Sequence, residues 1–485
     1  MNALVFISGN KLSGPSGYNY MLSSSGSDTF IINYDSSGNS IWATRISNSS
    51  SGSGIYTDSL GNIYTIFRVN DINKEPIIYN SDNTVTISSF IAFSSNLRNA
   101  NLVKYNSSGI AQWARGMSDV TGSGIIACSI DSSNNVCIII SSASSGTRLY
   151  NEDGTYVSVS GLTTYAAILG RYTSDGVPSI QAYMKATNWL SSSIGARGLI
   201  IDSSGNIIIV INFYGSSPIT VVDISGTSTA VSVSGTPCNV IIKFNSSGKY
   251  IWSFINTNQA AIADGTVPTY VSTDVSNNIY IVGTIGSLTV TFYDTTGSSL
   301  ALVASYSYVV KYNASGVITW AKKYQLGTVA NIRSYGSVQD SSGNIYISCC
   351  GGNSTFLFII KINKDGGVVW SFGDALTTTL RSYDMYIDAS NNICICGIYK
   401  YATTSPFPRV LDISNNSIIL STINTSGSSY NEAYVVKYTP AGFRVFTNHS
   451  GSVSANVSLY LSITTNRSSN TTAITGTYTS IYYIF

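Results

Sequence analysis

Two short patterns alternate along the whole chain, and a chain made of repeated small units can bury its apolar faces only by stacking those units on one another. The first pattern is an apolar strand, a basic residue, a polar turn ending in glycine, and an aromatic or apolar residue four positions later. Its seven copies turn at Gly38, Gly109, Gly176, Gly248, Gly316, Gly366 and Gly442. In six copies the strand carries a cation: Lys104, Arg171, Lys243, Lys311, Lys361 and Lys437. The second pattern runs from a strand through Asp-x-Ser-Gly/Asn-Asn directly into another strand. It starts at Asp58, Asp131, Asp202, Asp274, Asp340 and Asp388, with a degenerate copy at Asn466 to Asn470.

Both patterns predict hairpins. An Asp or Asn at the start of a turn hydrogen-bonds the backbone two residues on, and Gly or Asn near its end supplies the positive φ of a type I turn with a bulge. The flanks, such as Asn344-Ile345-Tyr346-Ile347-Ser348, are β-branched and aromatic and read as strands. Each unit therefore supplies strands A and B around its Asp turn and strands C and D around its Gly turn. Seven such units predict an all-β, seven-bladed propeller of four-stranded antiparallel blades. The unit from Gly316 to Gly366 is short; in other units about twenty further residues between B and C contain another hairpin-like segment, as at Ile77–Asn83, Leu149–Gly154, Val290–Asp294 and Val410–Asn416.

Ala3 to Asn10 resembles an inserted hairpin and leads into strands C and D with no A and B before them; the sequence ends with A and B alone. The expectation is one propeller over residues 1–485, in which 1–50 and 451–485 share the closing blade and leave no open edge. The last residues, Ile481 to Phe485, are expected to pair within that blade. Up-and-down order puts the A–B and C–D turns on one face, and the inserted hairpins are expected on the other, where a partner would bind.

The motifs Asp-x-Ser-Gly-Asn-Ile-Tyr-Ile and Val-Val-Lys-Tyr-Asn-x-Ser-Gly-x-x-x-Trp resemble SBBP-type β-propeller repeats, found in bacterial surface proteins and in large DNA viruses of protists. The resemblance covers essentially the whole chain and implies the fold, not one activity. The Asn/Ile/Tyr/Ser-rich composition looks more like the viral members.

Charge narrows the functional classes. With 25 Lys and Arg against 23 Asp and Glu, the net charge of +2 provides no field for nucleic acid. Glutamate occurs only at 75, 152 and 432, and His449, placed after a strand D, is the sole histidine, so no catalytic set and no metal site is assigned. Each Asp turn brings one carboxylate, too few for calcium. No cofactor is expected. The start lacks the features of a secretory leader, and no apolar run is long enough to cross a membrane. Seven cysteines without a CxxC pair read as buried, reduced thiols. The strand C cations read as solvated outer residues, and the series Trp42, Trp113, Trp252, Trp320 and Trp370 as inter-blade packing. The expected role is a non-enzymatic structural or interaction protein, virion- or assembly-associated, with other proteins as partners and some capacity for self-association. The alternative is glycan binding through Tyr79, Tyr150 and Tyr293 on the inserted hairpins, and third an enzyme with a site in the central channel.

Overall fold

The computed structural model describes residues 21–22, 27–49, 51–69, 76–87, 99–118, 125–142, 147–160, 162, 166–186, 195–213, 218–233, 238–258, 267–284, 289–303, 307–324, 333–351, 356–373, 380–400, 409–420, 431–451, 462–466, 471–479 and 482–484. Their regular structure is entirely β, in seven antiparallel blades. Blade 1 consists of A Ser462–Asn466, B Thr471–Thr479, C Ser27–Tyr34 and D Ser40–Ser47. Blade 2 follows with Ser51–Thr57, Ile63–Val69, Asn99–Tyr105 and Ala111–Ser118. Blade 3 has Ile125–Ile130, Val136–Ser142, Ala166–Tyr172 and Pro178–Lys185, and blade 4 Gly195–Ile201, Ile207–Phe213, Cys238–Phe244 and Tyr250–Asn258. Blade 5 is Val267–Thr273, Ile279–Thr284, Ser307–Tyr312 and Ile318–Tyr324. Blade 6 is Arg333–Gln339, Ile345–Gly351, Phe356–Ile362 and Val368–Gly373. Blade 7 is Leu380–Ile387, Ile393–Lys400, Asn431–Tyr438 and Arg444–Gly451.

The ring closes as the repeat arithmetic requires. Strand B of blade 1 comes from one end of the chain and strand C from the other, and they pair from Ser27↔Thr479 to Tyr34↔Thr472. Apolar residues alternate onto both sheet faces, so the cores lie between blades. Phe67 and Trp42 share the core between blades 1 and 2, and Ile209 and Leu169 that between blades 3 and 4.

The turns carry out the expected chemistry. Asp58 N–H donates to Asn62 O and Gly61 N–H to Asp58 O, both at 3.1 Å, while Asp58 Oδ1 accepts from Leu60 N and Asn62 N. The same backbone pair recurs at the other described A–B and C–D turns, and the second residue before the exit strand has positive φ, from Asn277 at 61° to Gly442 at 90°.

The inserted hairpins depart from expectation. Four of them lie between B and C in sequence but add to strand D of the preceding blade, whereas among the described residues Arg409–Leu411 pairs only with Ser417–Ile419 in a separate two-stranded sheet. Ile77–Tyr79 pairs with blade 1 (Ile46↔Ile78), Arg148–Tyr150 with blade 2 (Leu149↔Met117), Ile219–Asp223 with blade 3 and Thr289–Tyr293 with blade 4. Because strand D runs away from the turn face, an antiparallel neighbour runs back toward it. The hairpin tips therefore join the Asp and Gly turns on one face instead of occupying the opposite one. Ser81 N–H, in a hairpin tip, donates to Gly109 O at 2.9 Å, and Thr295 N–H to Gly316 O at 3.2 Å. A hairpin thus pairs with one blade and caps the C–D turn of the next. The last strand also corrects the reading of the terminus: Tyr482–Ile484 pairs with the outer strand of blade 7 and with Met21–Leu22, not within blade 1. The two chain ends jointly form the hairpin that other units build from one segment. Ala3 to Asn10 lie outside the described residues.

Candidate functional site

The recurring cations are the residues most displaced from their expected role. Lys243 is 4% and Lys437 1% exposed at the side chain, paired with Asp202 at 3.0 Å and with Asp388 at 2.7 Å, each the first residue of the A–B turn in its own blade. Arg171 pairs likewise with Asp131. They are not solvated outer residues, because a strand C side chain here faces the adjoining blade. Every strand C cation also donates to the second residue of the next blade's C–D turn: Lys104 to Ser174 O at 2.9 Å, Arg171 to Ser246 O, Lys243 to Ala314 O, Lys311 to Lys364 O, Lys361 to Pro440 O and Lys437 to Ser36 O. Blade 1 carries Asn33 at that place, and its junction is closed by Trp42 Nε1 donating to Ser107 O at 2.9 Å.

Strand B decides how each cation is held. Where its second residue is Tyr64, Tyr280 or Tyr346, the phenol donates to the turn carboxylate of Asp58, Asp274 or Asp340. The amine then lies over the ring, 5.5 Å from the Tyr64 centroid and 5.0 Å from those of Tyr280 and Tyr346. Where that residue is Cys137, Ile208 or Cys394, no phenol is present and the cation reaches the carboxylate directly. The signal was visible as Tyr against non-Tyr after each Asp turn, but its meaning needed the neighbouring strand.

The tryptophans do pack between blades. Trp42 and Trp113 are buried, and Trp113 Nε1 donates to Ser174 O of the next blade. Gly109, Gly316 and Gly366 of the C–D turns fit against Trp42, Trp252 and Trp320, so that a Cβ on Gly109 would meet Trp42 and Ser81 at 2.8 and 2.7 Å. All seven cysteines are free and buried, and burial pushes their thiols up, Cys238 to about 12. His449 lies inside strand D of blade 7, opposite Tyr434, rather than after it.

The three hairpin tyrosines lie on three different blades. Tyr79 is half-buried with the Arg45 guanidinium 4.5 Å from its ring centroid. Tyr150 is buried edge-on against Tyr156, and Tyr293 donates its backbone N–H to Asn256 Oδ1. In the same insertion turns, Glu152 pairs with Arg115 at 3.2 Å, while Asp153 accepts from Thr155 N and Oγ1.

The axis brings together groups that are far apart in sequence. The only carboxylate on the seven described A strands is Asp384 of blade 7. Tyr270 of blade 5 reaches past blade 6 and donates its phenol to Asp384 Oδ1 at 3.0 Å and to Tyr383 O at 3.1 Å. Gly336 of blade 6 brings that strand close to blade 7: a Cβ there would lie 2.8 Å from Ser348 Oγ and 3.1 Å from Met385 Cβ and Met385 N. Burial holds the Tyr270 and Tyr56 phenols well above their usual range, and the nearby Asp384 charge adds to this. Such phenols stay protonated near neutral pH, and the Tyr270 phenol acts as a hydrogen-bond donor to Asp384. No group of three or more metal-ligating side chains occurs among the described residues, and no described helix is long and apolar enough to cross a membrane.

No protein-family profile matches the chain. An uncharacterized WD repeat-containing protein of Acanthamoeba polyphaga mimivirus is 24% identical over 264 residues, covering 50% of this chain and 17% of that protein. The chain thus spans less than a fifth of the length of this relative. Among solved structures, a mutant of NanB sialidase from Streptococcus pneumoniae is 10% identical with a TM-score of 0.39, covering 93% of both chains. A Lactobacillus plantarum protein is 9% identical with a TM-score of 0.35, over 87% of this chain and 99% of its own. Virginiamycin B lyase from Staphylococcus aureus is 9% identical with a TM-score of 0.23, over 61% and 99%. The seven-bladed assignment rests on the strand register itself.

Proposed function

We propose that this protein is a non-enzymatic interaction scaffold of the SBBP-repeat kind, encoded by a large DNA virus and associated with the virion or its assembly. One observation carries the reading. The cations that recur in six of the seven blades each bond to the turn of the next blade, as Lys437 does to Ser36 O while also pairing with Asp388 of its own blade, so the repeated chemistry serves rigidity. A rigid ring with strand edges and turn tips at its rim suits protein partners. The mimivirus relative, named for its WD repeats, supports the viral setting. The test is cross-linking mass spectrometry of particles that contain the protein. Cross-links from the rim to defined neighbouring proteins are expected. Substrate turnover by the purified chain that is lost on Asp384→Asn would refute the non-enzymatic part, since Asp384 and Tyr270 are where channel chemistry would sit.

Glycan binding through Tyr79, Tyr150 and Tyr293 is the second reading. Their placement on separate blades favours three independent weak sites over one, and a glycan array with saturable binding abolished by Tyr79→Ala and Tyr293→Ala would support it.

A further inference from the structure

Among the described residues blade 5 has no hairpin like those that extend blades 1 to 4, because the unit after it is the short one and has four residues between Gly351 and Phe356. Its strand D, Ile318–Tyr324, has no sheet neighbour on its outer side among the described residues. In the filled blades the hairpin's first strand pairs with the end of strand D, at Ile46, Met117 and Met184, and the corresponding residue here is Tyr324. The hairpin tip would also have capped the next C–D turn, as Ser81 N–H caps Gly109 O. In its place the Tyr324 hydroxyl donates to Gly366 O at 3.1 Å, and Lys322 Nζ to Asp365 O at 2.7 Å. The turn is therefore satisfied without a hairpin, and the hairpin's volume remains as an open groove of about 520 Å³ lined by Leu302, Ala321, Lys322, Lys323, Tyr324 and Val368.

We infer that this groove receives an extended, acidic segment of a partner protein, which adds a fifth strand to blade 5. The inference rests on the interaction-scaffold reading above and names the chemistry of one partner. Charge selects the occupant. Lys322 and Lys323 are exposed on the edge strand, and Lys322 donates to the backbone carbonyl of Asp365. Two copies of this edge laid side by side would bring lysines against lysines, so the pattern disfavours self-pairing, as edge lysines do in sheets generally. Neighbouring strand residues face opposite sides, so Lys322 lies on the side that reaches Asp365 O of blade 6 and Ala321 on the side packed with Leu302; an incoming strand with acids on the first side meets Lys322, and with apolar residues on the second it covers Leu302 and Ala321. Backbone pairing then supplies affinity and the alternate side chains supply specificity.

The test uses the full chain and a synthetic eight-residue peptide alternating valine and glutamate, with the valine–lysine peptide as control. Calorimetry or fluorescence anisotropy should show saturable binding of the acidic peptide, weakened at least tenfold by Lys322→Glu with Lys323→Glu and by high salt, and no binding of the basic peptide. Grafting residues 285–306 in place of 352–355 fills the groove from within and should abolish binding. Equal binding of both peptides, or binding that survives the lysine reversal and the graft, overturns the proposal. So does loss of a dimer on lysine reversal, seen by sedimentation, which would make the edge a self-contact. If the acidic peptide fails to bind while cross-linked partners persist in the reversed-charge variant, this inference fails and the scaffold reading stands; an absence of rim cross-links on particles would instead remove the scaffold reading.

Discussion

Replacing a strand C lysine by methionine should cost very different amounts in different blades, although the motif around it is the same. In blade 7, Lys437→Met leaves the fully buried Asp388 carboxylate without the amine 2.7 Å away. Breaking one side of a buried pair typically costs about 3–5 kcal/mol. In blade 2, Lys104→Met leaves Asp58 with the Tyr64 phenol as donor at 3.1 Å, and removes an amine 5.5 Å from the ring centroid. That loss is about 0.5–1 kcal/mol for the ring contact. Both variants also give up a hydrogen bond to the next blade's turn carbonyl, at roughly 1 kcal/mol each. The expected gap between the two variants is therefore about 2–4.5 kcal/mol, with Lys243→Met falling beside Lys437→Met and Lys361→Met beside Lys104→Met. Urea unfolding followed by tryptophan fluorescence reads it as a difference in midpoint at constant slope. Lys437→Met combined with Asp388→Asn should recover most of the loss, since the amide still accepts the turn N–H bonds and no buried charge is left over. Equal losses in all four blades, or no recovery in the double variant, would show that the phenol does not stand in for the cation.

Three further outcomes follow from the same geometry. Asp28 is 2% exposed and burial raises its carboxyl to about 6 despite Arg45 at 3.4 Å, so the folded state binds the proton more tightly than the unfolded one. Stability should then fall as pH rises from about 4 through about 6, and Asp28→Asn should gain roughly 1–3 kcal/mol at pH 7.5 and remove that slope; melting temperatures across this range decide it. Gly109→Ala should cost more than Gly226→Ala, although both glycines have φ of 78°, because only the first places a methyl against Trp42 and Ser81 while nothing lies within 4 Å of the second. The shared left-handed strain accounts for about 1–2 kcal/mol in each, and denaturant midpoints will report the excess at Gly109. Asn277→Gly keeps the turn's φ of 61° but removes the side chain that accepts from Ser203 N–H and Oγ and donates to Ser204 Oγ; a loss of roughly 1–2 kcal/mol is expected by thermal or chemical unfolding.

Local chemistry was legible in the chain because it is a matter of near neighbours. Asp and Asn at turn starts, Gly and Asn at positive φ, β-branched flanks and seven-fold recurrence are enough to place the hairpins and count the blades, and the halves at the two ends imply closure. What lies across an interface was not legible. The alternation of Gly61, Asn134, Gly205, Asn277, Gly343 and Asn391 reads in the sequence as two equivalent answers to one φ requirement. In the ring each asparagine also grips the preceding turn, Asn134 accepting from Ser59, Asn277 from Ser203 and Asn391 from Ser341, so that blades are stitched in pairs. The lysines looked solvent-facing because alternation along a strand tells which side a residue takes, while only the adjoining blade tells whether that side is wet. The same limit hid the axial meeting of Tyr270 with Asp384, 114 positions apart, and sent the inserted hairpins to the wrong face. A hairpin's direction is set by the strand it joins, and here that strand belongs to the preceding unit.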